Sequence, residues 1–308
     1  MVLRSAEKSL ARCLYLISLS DSGKIAHVSA GATSASADRT TVAVAQMRAE
    51  LGDAARNVGL ARAAMRRAAE GGATLVVMPE CALSGYMHDS RAEVEAAAVS
   101  LDGPEIAALL ADCARYALHC VVGLLERDDD HVFNAAALLG PSGIVGVHRK
   151  RHLPFLGADR FVDRSDDVEP SVFATPIGNV GIAICYEIRF PEAIRTLALA
   201  GADIVALPTN WAPASAMLAN DFTRVRAAEN FVWLLVANRC DRERDIAFMG
   251  ASQIVDPRGV VVAHGADDEG VVCAEVDVAA AREKSIIVRA GEFELFPWRD
   301  RRPDSYRL

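Results

Sequence analysis

The chain has no apolar run approaching the roughly 18 residues that a membrane-spanning helix requires. It also lacks a surplus of positive charge: 33 lysines and arginines face 41 aspartates and glutamates, a formal net charge of -8. The first shortage argues against a membrane span, and the second against nucleic acid or an anionic bilayer, both of which attract cationic surfaces. Its seven cysteines show no Cys-x-x-Cys pair, so no metal site is expected. An odd and unpaired set fits a reducing cytoplasm. No Gly-x-Gly-x-x-Gly or phosphate loop follows the first strand-like run, which removes the main ground for a nucleotide cofactor, and none is expected. A Gly-x-Ser-x-Gly elbow is missing too, and Ser5-Ala6-Glu7-Lys8 matches Ser-x-x-Lys only in a stretch without core-like strands, so both serine schemes are set aside.

What is present is apolar substance: 52% of the 308 residues are hydrophobic, enough for the core of one α/β domain. Strand-like runs alternate with helical patterns, the signature of a layered α/β fold. Thr41 to Met47 starts the core, and helices are predicted over Asp53–Ala69, Gly103–Ala117, Pro191–Ala200 and Ser215–Phe231. Val260 to Val278 reads as two strands around a turn at residues 264–270. Residues 1–39, rich in Ser and Ala, read as an N-terminal extension outside the core, disordered or an upstream start-site artefact, and 40–308 as a single domain with a C-terminal tail. The apolar run Cys13–Ile17 is too short and too late for a signal peptide.

The chemistry concentrates where apolar runs end. Gly181-Ile182-Ala183-Ile184 runs into Cys185, and Pro191 then opens a helix, which places the thiol at a strand-to-helix corner beside backbone N–H groups. Ala73–Met78 ends at Pro79-Glu80, Cys120–Leu125 at Glu126, and Ile144–His148 at Arg149-Lys150. Ligands of α/β sheets bind at the carboxyl ends of strands, so Glu80, Glu126, Lys150 and Cys185 are candidates for one pocket. Cys81 adjoins Glu80, but alternation along an extended chain points its side chain away.

These blocks resemble the nitrilase superfamily of carbon-nitrogen hydrolases: Pro79-Glu80 with Leu83-Ser84-Gly85-Tyr86, Gly123-Leu124-Leu125-Glu126, His148 to Leu153, and Cys185 to Glu192. Pro208-Thr209-Asn210-Trp211, Arg226 to Asn230, Ala237-Asn238-Arg239 and Gly250 to Gly259 follow in the same order, and the likeness runs from about Thr41 to Asp277. The resemblance implies a four-layer α-β-β-α sandwich, paired through helices near the cysteine into a homodimer or larger homo-oligomer. It also implies a Glu, Lys and Cys set with a second Glu in support. Cys185 is then the nucleophile, Glu80 the general base and acid, and Lys150 an oxyanion donor together with the backbone N–H of Tyr186. Lys150 is also expected to raise the thiolate fraction of a thiol whose ordinary pKa is about 8.5. Glu126 is expected to hold Lys150 protonated and oriented. Tyr86, Tyr186, Asn210 and Trp211 are the expected substrate-binding residues.

The expected partners are a small-molecule amide and water, hydrolysed through a thioester to carboxylic acid and ammonia. Nitrile-cleaving relatives more often carry Trp after the cysteine and Asn beyond the following Glu, where this chain has Tyr186 and Ile188, which favours an amide. A nitrilase or N-carbamoyl amidohydrolase with the same Glu-Lys-Cys set, an acyl transferase, and a catalytically silent scaffold are the alternatives. Specificity is expected in the loops 87–95, 154–167 and 211–220, where Asp159, Arg160 and Arg164 are candidates for a charged substrate end.

Overall fold

The computed structural model describes residues 39–306, so the reading of the N-terminal extension lies outside the described residues. The first half of the chain runs β1 (Arg39–Gln46), α1 (Ala54–Glu70), β2 (Leu75–Val77), α2 (Arg91–Ala97), β3 (Val99–Ser100), α3 (Pro104–Tyr116), β4 (His119–Asp128), β5 (His131–Gly140) and β6 (Gly143–Arg149). The second runs β7 (Val172–Thr175), β8 (Gly178–Ile182), α4 (Pro191–Leu199), β9 (Ile204–Pro208), α5 (Thr223–Asn230) and β10 (Trp233–Ala237). Then come β11 (Arg242–Glu243), β12 (Ile246–Ala247), β13 (Gln253–Val255), β14 (Val261–His264), β15 (Gly270–Asp277), β16 (Ile286–Arg289) and β17 (Phe293–Leu295). One sheet has the order β15-β1-β2-β4-β5-β6 with β3 also on β4, and the other β14-β13-β10-β9-β8-β7. Both have a parallel centre, β1-β2-β4 and β8-β9-β10, with antiparallel flanks.

Strand alternation divides the layers. In the first sheet Ala43, Ala45, Val76, Met78, Cys120 and Val122 pack with Ala61, Met65 and Ala68 of α1 and Ile106, Leu109 and Cys113 of α3. Their neighbours Val42, Val44, Leu75, Val77 and Val121 belong to the cluster that holds Val205, Leu207, Leu234 and Val236 of the second sheet and Ile194, Leu197 and Ala227 of α4 and α5. Strands buried on both faces read as continuous apolar runs, which is why these segments show no polar alternation. The result is the expected four-layer α-β-β-α sandwich. Asp53 caps α1, its carboxylate accepting from the Arg56 N–H at 3.0 Å, and Ala117 in a left-handed conformation ends α3.

Two expectations change form. The helix expected over 215–231 is a 3-10 turn at Pro213–Ser215, a π turn at Leu218–Phe222 and then α5. The Ala219 carbonyl is taken by the Thr223 hydroxyl at 2.7 Å and the Gln253 amide at 2.6 Å, and the Thr223 N–H reaches back to Leu218 instead. The two strands of 260–278 do not pair with each other: β14 joins β13 in one sheet and β15 joins β1 in the other, so the segment crosses between layers.

Strand β4 runs beneath the corner that carries Glu80. A Cβ on Gly123 would stand 2.6 Å from both the Cys81 nitrogen and the Glu80 Cα, so only glycine allows this approach. Gly123→Ala is expected to push the corner outward, lowering stability by about 2 kcal/mol, a typical overpacking cost. Turnover should fall further than stability does. Thermal melts beside kcat measurements check both.

Candidate active site

Each half of the sandwich brings part of the site. From the first come Glu80, on the corner after β2; Asn134, within β5; Lys150, directly after β6; Asp159, in a 3-10 turn at Gly157–Arg160; and Tyr86, after the Gly85 turn. From the second come Cys185, after β8, and Asn210 and Trp211, after β9. Cys185 has φ 47, a left-handed conformation unusual for a side chain with a Cβ, which lifts the thiol off the strand.

Lys150 is the hub. Its Nζ donates to Glu80 Oε1 at 2.6 Å and to Asp159 Oδ2 at 2.6 Å, with all three side chains fully buried. Asn134 Nδ2 bridges the same two carboxylates at 2.8 Å each, and the Tyr86 hydroxyl donates to Asp159 Oδ2 at 2.7 Å. The Tyr86 loop is itself held, since Glu243 Oε2 accepts from the N–H groups of Tyr86 and Met87 and Glu243 pairs with the buried Arg239. The Cys185 thiol is close enough to feel the charges of Glu80 and Lys150 and the Asn210 backbone N–H, and Glu80 Oε2 is buried without a hydrogen-bond partner. Among the described residues, no group of three or more His, Cys, Asp or Glu is placed to hold a metal ion.

The carbon-nitrogen hydrolase family description matches residues 41–285. The chain belongs to that family. This carbon-nitrogen hydrolase is 35% identical over 247 residues to a nitrilase of Pyrococcus abyssi, covering 80% of this chain and 92% of the relative. It is 31% identical over 236 residues to an omega-amidase of Danio rerio, covering 72% of this chain and 83% of the relative. A Nesterenkonia amidase of the nitrilase superfamily superposes with a TM-score of 0.68 at 22% identity over 79% of this chain and 92% of that one, which shows the shared fold. The relatives' names divide between nitrile and amide chemistry, so membership fixes a C–N hydrolase and leaves the substrate class to the site.

The site's electrostatics give Lys150 the expected direction of effect on the thiol, but burial and Glu80 outweigh it. Burial pushes the Cys185 thiol well above its ordinary value, and Glu80 adds to this while Lys150 opposes it only in part. That direction favours thiol over thiolate in the resting site. Burial likewise raises Glu80, despite Lys150. For Lys150 burial works downward, but Asp159 and Glu80 outweigh it and hold the ammonium well above its usual range. Two carboxylates share one cation, so a proton arriving at Glu80 relieves an excess negative charge.

One expectation is corrected, that for Glu126. It lies inside β4 rather than at its end, and both its oxygens are held at 2.7 Å by Arg149, whose guanidinium stacks over Phe133. Consecutive residues point to opposite faces of a strand, so the face that gives Glu126 its Arg149 partner is not the face of Lys150. Asp159 is the second carboxylate on Lys150, and Asn134 joins it; neither has a sequence signal beyond falling in or beside a strand or a Gly turn. Arg160 pairs with Asp89 and the His88 carbonyl, and Arg164 is exposed. Cys81 is not extended but left-handed at φ 49, and its sulfur sits 3.7 Å from Asn134 Oδ1, within the network.

The expected substrate contacts fare differently. Tyr86 is buried and bound to Asp159. Asn210 is buried with both amide atoms unpartnered in the protein, and the buried Trp211 has a free indole N–H while Asn238 holds its backbone N–H at 2.7 Å. Tyr186 is half-buried and packs edge-on against Phe190 at 5.2 Å.

Asp159→Asn, which removes a charge from the Lys150 hub, should lower kcat by about 10². Glu126→Gln should leave kcat within about threefold while costing about 2 kcal/mol through its buried pair. Steady-state kinetics beside denaturant melts separate the two. Because Glu80 must be ionised to accept the thiol proton, the acid limb of kcat/KM is expected above the ordinary carboxylate value of 4.5. A pH-rate profile checks it.

Proposed function

We propose that this carbon-nitrogen hydrolase is an amidase that converts a small primary amide to carboxylic acid and ammonia through a thioester on Cys185. The observation that carries this is a buried thiol against a carboxylate of raised pKa, with a buried ammonium bonded to that same carboxylate. As Sγ bonds to the carbonyl carbon, the thiol proton passes to Glu80. The carbonyl oxygen becomes an anion; two of the three Lys150 protons are engaged by Glu80 and Asp159, and the third is available to it together with the backbone N–H of Tyr186. Collapse breaks the C–N bond, Glu80 delivers its proton to nitrogen, and ammonia departs. Glu80 then takes a proton from water as its oxygen attacks the thioester, and returns it to sulfur as acid leaves. The buried, unpartnered Asn210 amide beside the thiol supports a polar acyl or amide group as the recognised end.

A Nesterenkonia amidase is described as taking the acetamide moiety of fluoroacetamide covalently on its active-site cysteine, which supports an amide-sized site on this fold. The nitrilase name of the Pyrococcus abyssi relative favours nitrile cleavage as the second reading.

Ammonia release from a panel of small amides, carbamoyl compounds and nitriles, with Cys185→Ala alongside, tests the proposal. Release from amides by the native protein alone is expected. Release confined to nitriles or carbamoyl compounds would replace the amidase reading, and hydroxamate formation outrunning hydrolysis in hydroxylamine would indicate acyl transfer.

A further inference from the structure

The two catalytic halves belong to different sheets, and no strand ladder joins β6, which delivers Lys150, to β8, which delivers Cys185. One buried carboxylate spans that gap. Glu187 Oε2 accepts from the Ile184 N–H at 2.8 Å and pairs with His148 Nε2 at 2.7 Å. Its Oε1 accepts from the Arg151 N–H at 3.0 Å and lies 3.4 Å from His152 Nδ1. Ile184 immediately precedes the nucleophile, and Arg151 immediately follows Lys150. His148 is anchored in turn by Ser171 Oγ at 2.8 Å on its other nitrogen.

We propose that Glu187 is a positioning residue that fixes the Lys150 segment against the Cys185 corner and so sets the register between ammonium and thiol. Glu187 is 2% exposed, and its partners are two backbone N–H groups and two histidines. Burial raises its pKa, but His148, His152 and the Ile184 N–H outweigh burial and hold it well below the usual carboxylate range. It therefore stays an acceptor on both oxygens across the working pH range. A carboxylate with two oxygens facing two chain segments is a clamp; neither Gln nor Ala can present the same pair of acceptors.

The clamp is reachable from outside. A cavity of about 220 Å³ is lined by Glu187, His148, Arg151, His152, Glu192 and Thr196, together with apolar neighbours, and by none of Glu80, Lys150 or Cys185. A small carboxylate such as formate fits that volume and can stand in for a deleted side chain.

The proposal rests on Cys185 being the nucleophile, but its test does not depend on the acyl group. Alkylation of Cys185 by iodoacetamide is followed across pH in the native protein, Glu187→Ala, Glu187→Asp and Ser171→Ala, with thermal melts of each. Glu80, Lys150 and Tyr86 are the titrating groups that face this thiol. In Glu187→Ala, alkylation at neutral pH should slow by about 10², the usual effect of an ångström-scale misplacement. Its profile should move to higher pH as Lys150 withdraws from the forming thiolate. Glu187→Asp and added formate should each recover part of the rate, and Ser171→Ala should move the same way by about threefold. A folded Glu187→Ala with the native profile overturns the proposal, as does formate that restores the melt but not the alkylation rate. Should Glu187→Ala not fold, Ser171→Ala decides: a displaced profile supports the clamp and an unchanged one removes it. Should the native protein alkylate normally yet release no ammonia from any amide, the amidase reading fails while the clamp stands or falls on these profiles alone.

Discussion

A fully buried ammonium held between two fully buried carboxylates is the constraint around which the site is built. Removing such a cation from water costs several kcal/mol unless close partners and further hydrogen bonds satisfy the ions. The surrounding residues meet that requirement in order: Asn134 bridges the two carboxylates, Tyr86 bonds the second of them, and Glu243 with Arg239 pins the Tyr86 loop. Gly157, left-handed at φ 52, lets its turn close against the Tyr86 ring, so that the Ala158 N–H reaches the Tyr86 carbonyl at 2.7 Å. A change at any of these points is felt at Lys150 before it is felt by substrate.

The sandwich architecture explains why the partners come from such distant parts of the chain. Each sheet has a parallel centre, and parallel strands send their carboxyl ends to one edge, where loops are free to carry polar groups. Stacking two such sheets face to face places the Glu80 and Lys150 ends opposite the Cys185 and Asn210 ends, with an apolar interior behind them. Residues as far apart as 80 and 210 thus both come close to Cys185. The same arrangement creates a seam, because the strand ladders run within sheets, and a single bridge, the Cys240 N–H on the Met47 carbonyl at 3.1 Å, is the β-bridge recorded across it among the described residues. Side-chain carboxylates such as Glu187 and Glu243 cross it.

Glu80, Lys150 and Cys185 were legible because each ends a run of apolar residues, a position that a reactive group occupies only with a purpose or a partner. A layered α/β fold was legible because strand-like apolar runs alternate with helical patterns, whereas the four-layer arrangement followed only from the family resemblance. Glu126 was misread for a physical reason: apolar residues stop at Leu125, but the ladder continues to Asp128 by pairing with β5, so the residue faces Arg149 from within a strand. The roles of Asp159, Asn134 and Glu187 were not legible, since a buried polar side chain looks in sequence like any solvated one. What distinguishes them is the donor set that folding brings from other segments. The π turn before α5 escaped notice in the same way, because the amide that takes the Ala219 carbonyl comes from Gln253, in another strand.

The resting state of the sulfur bears on what such a site can accept. A buried thiol beside an ionised carboxylate carries the same net charge as a thioester beside a carboxylate after ammonia has left. In the proposed cycle the proton moves from sulfur to Glu80 and then to nitrogen, so charge is displaced over a few ångströms rather than created in a dry interior. The oxyanion is the one charge that must develop, and it develops where Lys150 already has an uncommitted N–H. A preformed thiolate would need a second cation to balance two carboxylates and a sulfur anion, and of the two guanidiniums that flank Lys150 in sequence Arg149 is committed to Glu126 and Asp128 and Arg151 donates to the Glu169 carbonyl. The reacting group that suits this balance is a neutral one whose leaving nitrogen accepts a proton, which is the chemistry of an uncharged amide.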